Sequence, residues 1–166
     1  MKPEDFDKLD QFELVKALGK LDDISLMRAN FYGEARFAES HIADEIGEWI
    51  AIGGVVMTRK KSPRWGNTIK DVILEKGQFS WLNKKDPNCK IVWDWLCKGI
   101  GRQWREMGEI AEAVLDNRYV DETFSCGANH YVANWFYFTA PSDHWCKKMK
   151  ITNSLGGHIF LTDGKP

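Results

Sequence analysis

The sequence has no apolar run long enough to cross a bilayer, because a spanning helix needs about 20 consecutive apolar residues. Its opening, MKPEDFDKLDQFELVKALGK, lacks the basic start, apolar centre and small-residue cleavage site of a secretion signal. Membrane insertion is therefore not expected, and folding in a cytoplasm is. The four cysteines, Cys89, Cys97, Cys126 and Cys146, form no Cys-x-x-Cys pair and no compact zinc-finger spacing, so reduced thiols are the expectation. There is no internal repeat, low-complexity tract or linker, which leaves one domain over residues 1–166. A net charge of −1 supplies no global basic field for nucleic acid. The locally basic RKKSPR (59–64) and CKKMK (146–150) read as solvated faces.

What is present is a globular composition, 43% hydrophobic and 28% charged, able to bury a core. Eight tryptophans serve that core or offer flat platforms to amphipathic surfaces. Helical signals dominate the first two thirds. PEDFDKLDQFELVKALGK reads as an amphipathic helix with acids at its start and Gly19 near its end. Asp22 or Asp23 can cap a second helix, in which Ile24, Met27, Phe31, Ala35 and Ala38 recur at helical spacing. IADEIGEWIAIGGVVMTR is a third, with Ile42, Ile46, Trp49, Ile50, Gly53 and Val56 along one face. KSPRWGNT reads as a loop, and TIKDVILEKG as a short helix with Thr68 as cap, Asp71 three residues on and Gly77 as stop. GQFSWLNKKD reads as an aromatic loop; Asp86 before Pro87 starts another helix, and RQWREMGEIAEAVLDN is the last. RYVDETFSCGANHYVANWFYFTAPSDHW has no lasting period, and KITNSLGGHIFLTD reads as two short strands around SLGG. The expected class is α+β, mainly helical, with a small irregular β region near the C-terminus.

One residue breaks the second helix's pattern. Glu34 lies about 20° from Met27 and about 60° from Phe31 around the helix axis, within or at the edge of the apolar stripe. A carboxylate there is either paired or desolvated. Desolvation raises its pKa, so that it can hold a proton near neutrality and deliver it to a leaving oxygen. A half-buried structural Glu satisfies the same pattern.

Tyr32-Gly33-Glu34-Ala35-Arg36 resembles the Tyr-x-Glu-Ala-Arg signature of the SleB-type cell-wall hydrolases, the spore cortex-lytic enzyme family that also occurs in phage lytic proteins. The likeness continues in order through WIAIGGVVMTRKKSPRWGNTIKDVILEKGQFSWLN, AEAVLDNRYVDETFSCGANHYV and LGGHIFL, over roughly residues 24–161. Residues 1–23 are then an N-terminal helical extension. The chain departs from the family in Phe37-Ala38-Glu39 after the signature, Glu122 after Asp121, His130 at an aromatic position and Gly156-Gly157-His158 for Gly-Asn-His.

The resemblance implies a lysozyme-like or lytic-transglycosylase-like fold and cleavage of the β-1,4 bond between N-acetylmuramic acid and N-acetylglucosamine. It makes Glu34 the acid that protonates the glycosidic oxygen. A two-carboxylate lysozyme would need a partner, for which Asp121 is preferred over Glu122, Asp71 and Asp44. A lytic transglycosylase needs none, and is the favoured route. Gln78, Phe79, Ser80 and Trp81 resemble a cleft-lining turn, with Thr123, His130 and Tyr131 as further substrate-binding candidates. Trp65 and Trp135 are sugar platforms or packing residues. No metal or cofactor is expected. The expected partner is the peptidoglycan glycan strand, bound by a monomer held in a host cytoplasm before release to the wall, or carried on a virion. Two other classes stay open: a zinc amidase or peptidase using Cys126, His130, His144 or His158, and a wall-binding module without catalysis.

Overall fold

The computed structural model describes residues 1–36, 42–119 and 125–165, with 42–46 described by backbone alone. Helices α1 (Gln11–Leu18), α2 (Asp23–Ala35), α3 (Ile42–Lys61), α4 (Ile69–Leu74), α5 (Pro87–Lys98) and α6 (Arg102–Leu115) precede strand β1 (His130–Ala133), the short helix α7 (Asn134–Thr139), and strands β2 (Lys150–Leu155) and β3 (His158–Thr162). The class is mainly α with a small C-terminal sheet, as the sequence led us to expect.

Local chemistry sets most boundaries. The Asp22 carboxylate accepts from the Ser25 N–H at 2.6 Å and opens α2. Thr68 and Asp71 close a reciprocal capping box at α4. Asp86 caps α5, whose first residue is Pro87 and whose last turn ends in left-handed Gly99. The expected first helix is split instead. Pro3–Lys8 is a 3₁₀ turn, and Asp10, in a capping box with Glu13, starts α1 afresh. A side chain that satisfies free N–H groups in extended backbone competes with continuing the helix.

Helix α2 lies at the centre, packed on α3, α4, α5 and α6. Leu26, Met27, Ala29 and Phe31 are fully buried there, with Ile52, Val55 and Val56 of α3 and Met107 of α6. Gly53 is where α3 approaches closely, since a Cβ would lie 2.9 Å from Val114 Cγ1 and 3.3 Å from Phe31 Cζ.

The sheet is antiparallel in the order β1-β3-β2, with Tyr131 opposite Phe160 and Ala133 opposite His158. Alternation gives β3 two faces. Phe160 enters the helical core, while Ile159 and Leu161 join Cys146 in a second, smaller cluster under α7. Tyr131, His158 and Phe160 therefore share the face turned toward the helices. Strand β1 and helix α7 fall in the stretch read as having no lasting period. Four residues are too few to show alternation, and α7 buries no residue fully, so it carries no apolar stripe.

Candidate active site

The Tyr32–Arg36 signature ends α2, and each of its residues has a distinct place. Tyr32 stacks on Trp95 with ring centroids 4.2 Å apart and 6° between planes. Gly33 admits Trp81, because a Cβ would sit 2.4 Å from the indole Cγ. Ala35 is buried. Arg36 donates to Asn88 Oδ1 and lies over the Tyr32 ring. The last carbonyls of a helix have no partner within it. Here the Ala35 carbonyl accepts from Trp49 Nε1 and the Arg36 carbonyl from Gln103 Nε2, both at 3.2 Å. The turn that carries Glu34 is thus anchored to α3, α5 and α6.

Glu34 as a whole keeps partial exposure, but its Oε1 is sealed from solvent with no hydrogen-bond partner within 3.5 Å among the described residues. Burial raises its pKa above the ordinary carboxyl value, opposed first by His158, then by Tyr131 and Arg59. The Tyr131 hydroxyl is likewise buried and turned to Glu34, and burial together with the Glu34 charge pushes its pKa well up. Arg59, 5% exposed, donates from Nε to the Asn129 carbonyl at 2.7 Å while its Nη1 has no partner among the described residues. Burial pulls its pKa down, and Tyr131 and Glu34 oppose that. A carboxyl, a phenol and a guanidinium that act on one another are thus buried together, each with a polar atom that has no partner within 3.5 Å among the described residues. Buried polar atoms are nearly always paired, so this convergence is the candidate site among the described residues.

The sequence reading singled out neither Arg59 nor Glu48. Glu48, 2% exposed, accepts on Oε1 from the Gly157 N–H at 2.9 Å and shares a 2.6 Å hydrogen bond with His158 Nδ1. A Cβ on Gly156 would meet Glu48 Oε2 at 2.3 Å, and that residue also has φ +53°. Gly156 is thus explained by a carboxylate lying under the turn, whereas a Cβ on Gly157 would make only an ordinary 3.7 Å contact with Glu48 Oε1. The signal for Glu48 was available: it lies about 40° from Ile52 and about 20° from Val55 around α3.

Other expected site residues are distributed around this centre. Trp81 is beneath α2 at 1% exposure, its Nε1 donating to Asn30 Oδ1 at 3.0 Å. Phe79, 3% exposed, lies 6.4 Å from the Tyr131 ring and carries the Arg59 guanidinium at 5.5 Å. These two rings support the site from below, while Gln78 is half-buried and Ser80 exposed. His130 packs against Trp65 and Trp145, its Nδ1 2.8 Å from Asn129 Oδ1. Burial, reinforced by Arg59, lowers its pKa to about 4, so the ring is neutral at physiological pH. Trp135 is 72% exposed on α7. Asp121, Glu122, Thr123 and the Asp44 side chain lie outside the described residues. Asp71, the remaining carboxylate candidate, is occupied with the α4 cap.

Among the described residues no three His, Cys, Asp or Glu side chains gather as metal ligands. A cavity of about 600 Å³ lies between α3 and the end of α6, lined by Gly54, Met57, Val114, Tyr119 and Cys126, and contains none of the signature residues. Its described lining carries no acid.

No curated protein and no solved structure matches the chain. A family profile, Cell Wall Hydrolase, matches residues 44–161. The matched span begins after the Glu34 turn and includes Glu48, Arg59, the Gln78–Trp81 turn, Tyr131 and His158. It covers well over half of the sequence, and the helical core with its C-terminal sheet accompanies it: the chain belongs to the SleB-type cell-wall hydrolase family.

Proposed function

We propose that this peptidoglycan-degrading enzyme is a lytic transglycosylase in which Glu34 is the only acid/base. The observation that carries the reading is Glu34 itself, a desolvated carboxyl buried beside the Tyr131 phenol and the Arg59 guanidinium. In the first step the Glu34 proton goes to the glycosidic oxygen. The bond from that oxygen to the muramic C1 breaks, and N-acetylglucosamine leaves with a free hydroxyl. The Glu34 carboxylate then takes the proton of the muramic 6-hydroxyl as its oxygen bonds C1. The 1,6-anhydro ring closes and Glu34 regains its proton, so no water is consumed. Arg59 and the Tyr131 hydroxyl are placed to stabilise the carboxylate between the two steps.

A water-using muramidase needs a second carboxylate held roughly 5–9.5 Å from the first. Glu48 is the buried carboxylate nearest in character, but both its hydrogen bonds engage the chain's own Gly157 and His158. With Oε1 already held by two donors Glu48 is fixed to the chain's own turn, which supports the single-acid route. Before reaching the wall, the enzyme would wait in a host cytoplasm or on a virion; no helix among the described residues is long and apolar enough to cross a membrane. The test is Glu34→Gln, which keeps the side chain's shape and removes its proton. Unchanged circular dichroism with loss of lysis on purified walls is expected. Full lysis by a folded Glu34→Gln protein would overturn the assignment.

A further inference from the structure

Helix α7 has four consecutive aromatic residues, Trp135, Phe136, Tyr137 and Phe138, and buries none of its residues fully. Phe136 and Tyr137 pack on the small cluster of Cys146, Ile159 and Leu161. Trp135 and Phe138, three residues apart and so on one side of the helix, are each 72% exposed. Packing does not account for two such rings, and exposed apolar surface gathered in one place marks an interaction site. Trp135 is also the outer end of a run of ring contacts that begins at the candidate active site. The Arg59 guanidinium lies 5.6 Å from the centre of the Trp65 ring. Trp65 meets His130 at 5.7 Å between centroids, His130 meets Trp145 at 5.6 Å, and Trp145 meets His144 at 5.4 Å. His144 then stands edge-on to Phe136 at 5.1 Å, and Phe136 edge-on to Trp135 at 5.7 Å. The tryptophans open to solvent along this run, from 9% exposure at Trp65 through 44% at Trp145 to 72% at Trp135. The surroundings are basic in a chain of net charge −1, since residues 134–151 hold Lys147, Lys148 and Lys150 against Asp143 alone. Lys147 Nζ lies 4.2 Å from the centre of the Tyr137 ring, beside the exposed aromatics.

We propose that Trp135 and Phe138, with Lys147 at their side, form an exosite on which uncut peptidoglycan rests while another stretch of the same polymer occupies the Glu34 site. The ligand is the amino-sugar strand with its stem peptides. The flat C–H faces of its pyranose rings stack on the indole and phenyl rings, and the stem-peptide carboxylates meet Lys147. A polymeric substrate extends out of the site that cuts it, and the aromatic run from Trp65 through Trp145 joins that site to α7. The inference rests on peptidoglycan being the substrate, and does not require Glu34 to be the acid. A membrane surface or a second copy of the chain would also cover an aromatic face, but neither calls for contacts that run back to Arg59.

The experiment is cosedimentation of the full chain with purified peptidoglycan on ice, comparing wild type with the double variant Trp135→Ser, Phe138→Ser. Both side chains are exposed, so circular dichroism and Tm should stay those of wild type. Loss of stacking at two positions should weaken wall binding on the order of 10-fold. Kinetics give a second readout. The fall in kcat/KM on intact walls should exceed the fall on soluble tetrasaccharide fragments by a similar factor, because a fragment that fills the cleft does not reach α7. Lys147→Gln should weaken binding to intact walls roughly threefold and leave binding to walls stripped of stem peptides unmoved; an equal loss on both overturns the stem-peptide contact. Wall binding unmoved in the double variant, or equal losses on walls and fragments, overturns the exosite. So does a double variant that keeps wall binding but no longer binds phosphatidylglycerol vesicles, or no longer dimerises in sedimentation equilibrium. Should the double variant fail to fold, wall binding unmoved in Trp135→Ser alone overturns it. Reducing muramic ends from wild type, or lysis by Glu34→Gln, would remove the transglycosylase reading and leave the exosite standing. Anhydromuramic ends with wall binding unmoved would remove only the exosite.

Discussion

Gly33→Ala adds one methyl at the tightest point beside the proposed acid, so its cost can be worked from the structure. The new Cβ would lie 2.4 Å from Trp81 Cγ, 2.6 Å from Cδ1 and 2.9 Å from Cβ. Ordinary carbon contacts fall at about 3.5–4.0 Å, so α2 and the indole must separate by about 1 Å. Trp81 cannot easily yield, being 1% exposed and tied by Nε1 to Asn30. Overpacking of this kind costs roughly 1–3 kcal/mol, and three close contacts with the Trp81 side chain place it toward the upper end. Replacing a helical glycine with alanine returns about 1 kcal/mol. The net loss is roughly 1–2 kcal/mol, a fall in Tm of roughly 2–8 °C for a chain this size. Movement of the Glu34 turn by about 1 Å should also cut kcat on the order of 100-fold. Gly53→Ala is the internal control: it has the same helix benefit and a milder contact, 2.9 Å to the end of Val114. It should lose less stability and little activity. Differential scanning fluorimetry and wall-turbidity rates read both variants. A Gly33→Ala protein as stable and active as wild type would refute the seating of α2 on Trp81.

Two further expectations concern pH. Because burial raises the Glu34 pKa, the unfolded chain ionises first as pH rises past about 4.5, and the folded state loses stability until Glu34 itself ionises. The Tm of Glu34→Gln relative to wild type should therefore climb with pH from that point and then level off; a constant gap would show that Glu34 is not desolvated. Asp163 has the opposite sign: burial pushes its pKa up, but hydrogen bonds from Asn129, Arg64 and the Lys165 N–H outweigh it and hold the carboxyl well below its usual range. Its contribution is present above about pH 4 and lost as pH falls. The stability deficit of Asp163→Asn should be largest near neutrality and shrink in acid, and a deficit that grew on acidification would contradict these bonds.

Elements whose ends carry their own chemistry were legible in the sequence. Thr68 with Asp71, and Asp86 with Pro87, fix helix starts within a few residues and need no tertiary information. The Asp10 cap was equally local, but the surrounding amphipathic pattern hid it. Strand β1 was not legible, because its pairing with β3 is a contact between Tyr131 and Phe160 across the chain. Glu34 was legible as a polar residue in an apolar stripe. Glu48 was missed because α3 was read with a single buried face, whereas the consecutive buried residues Trp49, Ile50, Ala51 and Ile52 occupy its middle all round. On such a helix every polar residue is an exception, and periodicity no longer separates inside from outside. Arg59 was hidden in the same way, absorbed into a basic run that is exposed at Lys61 and buried at Arg59.

The central claim is that Glu34 alone moves the proton that cuts the glycan. It is tested most directly by mass spectrometry of the soluble fragments that wild type and Glu34→Gln release from purified peptidoglycan. The account predicts 1,6-anhydromuramic ends from wild type and no fragments from Glu34→Gln. Reducing muramic ends, cut stem peptides on intact glycan, or release by the variant would contradict it.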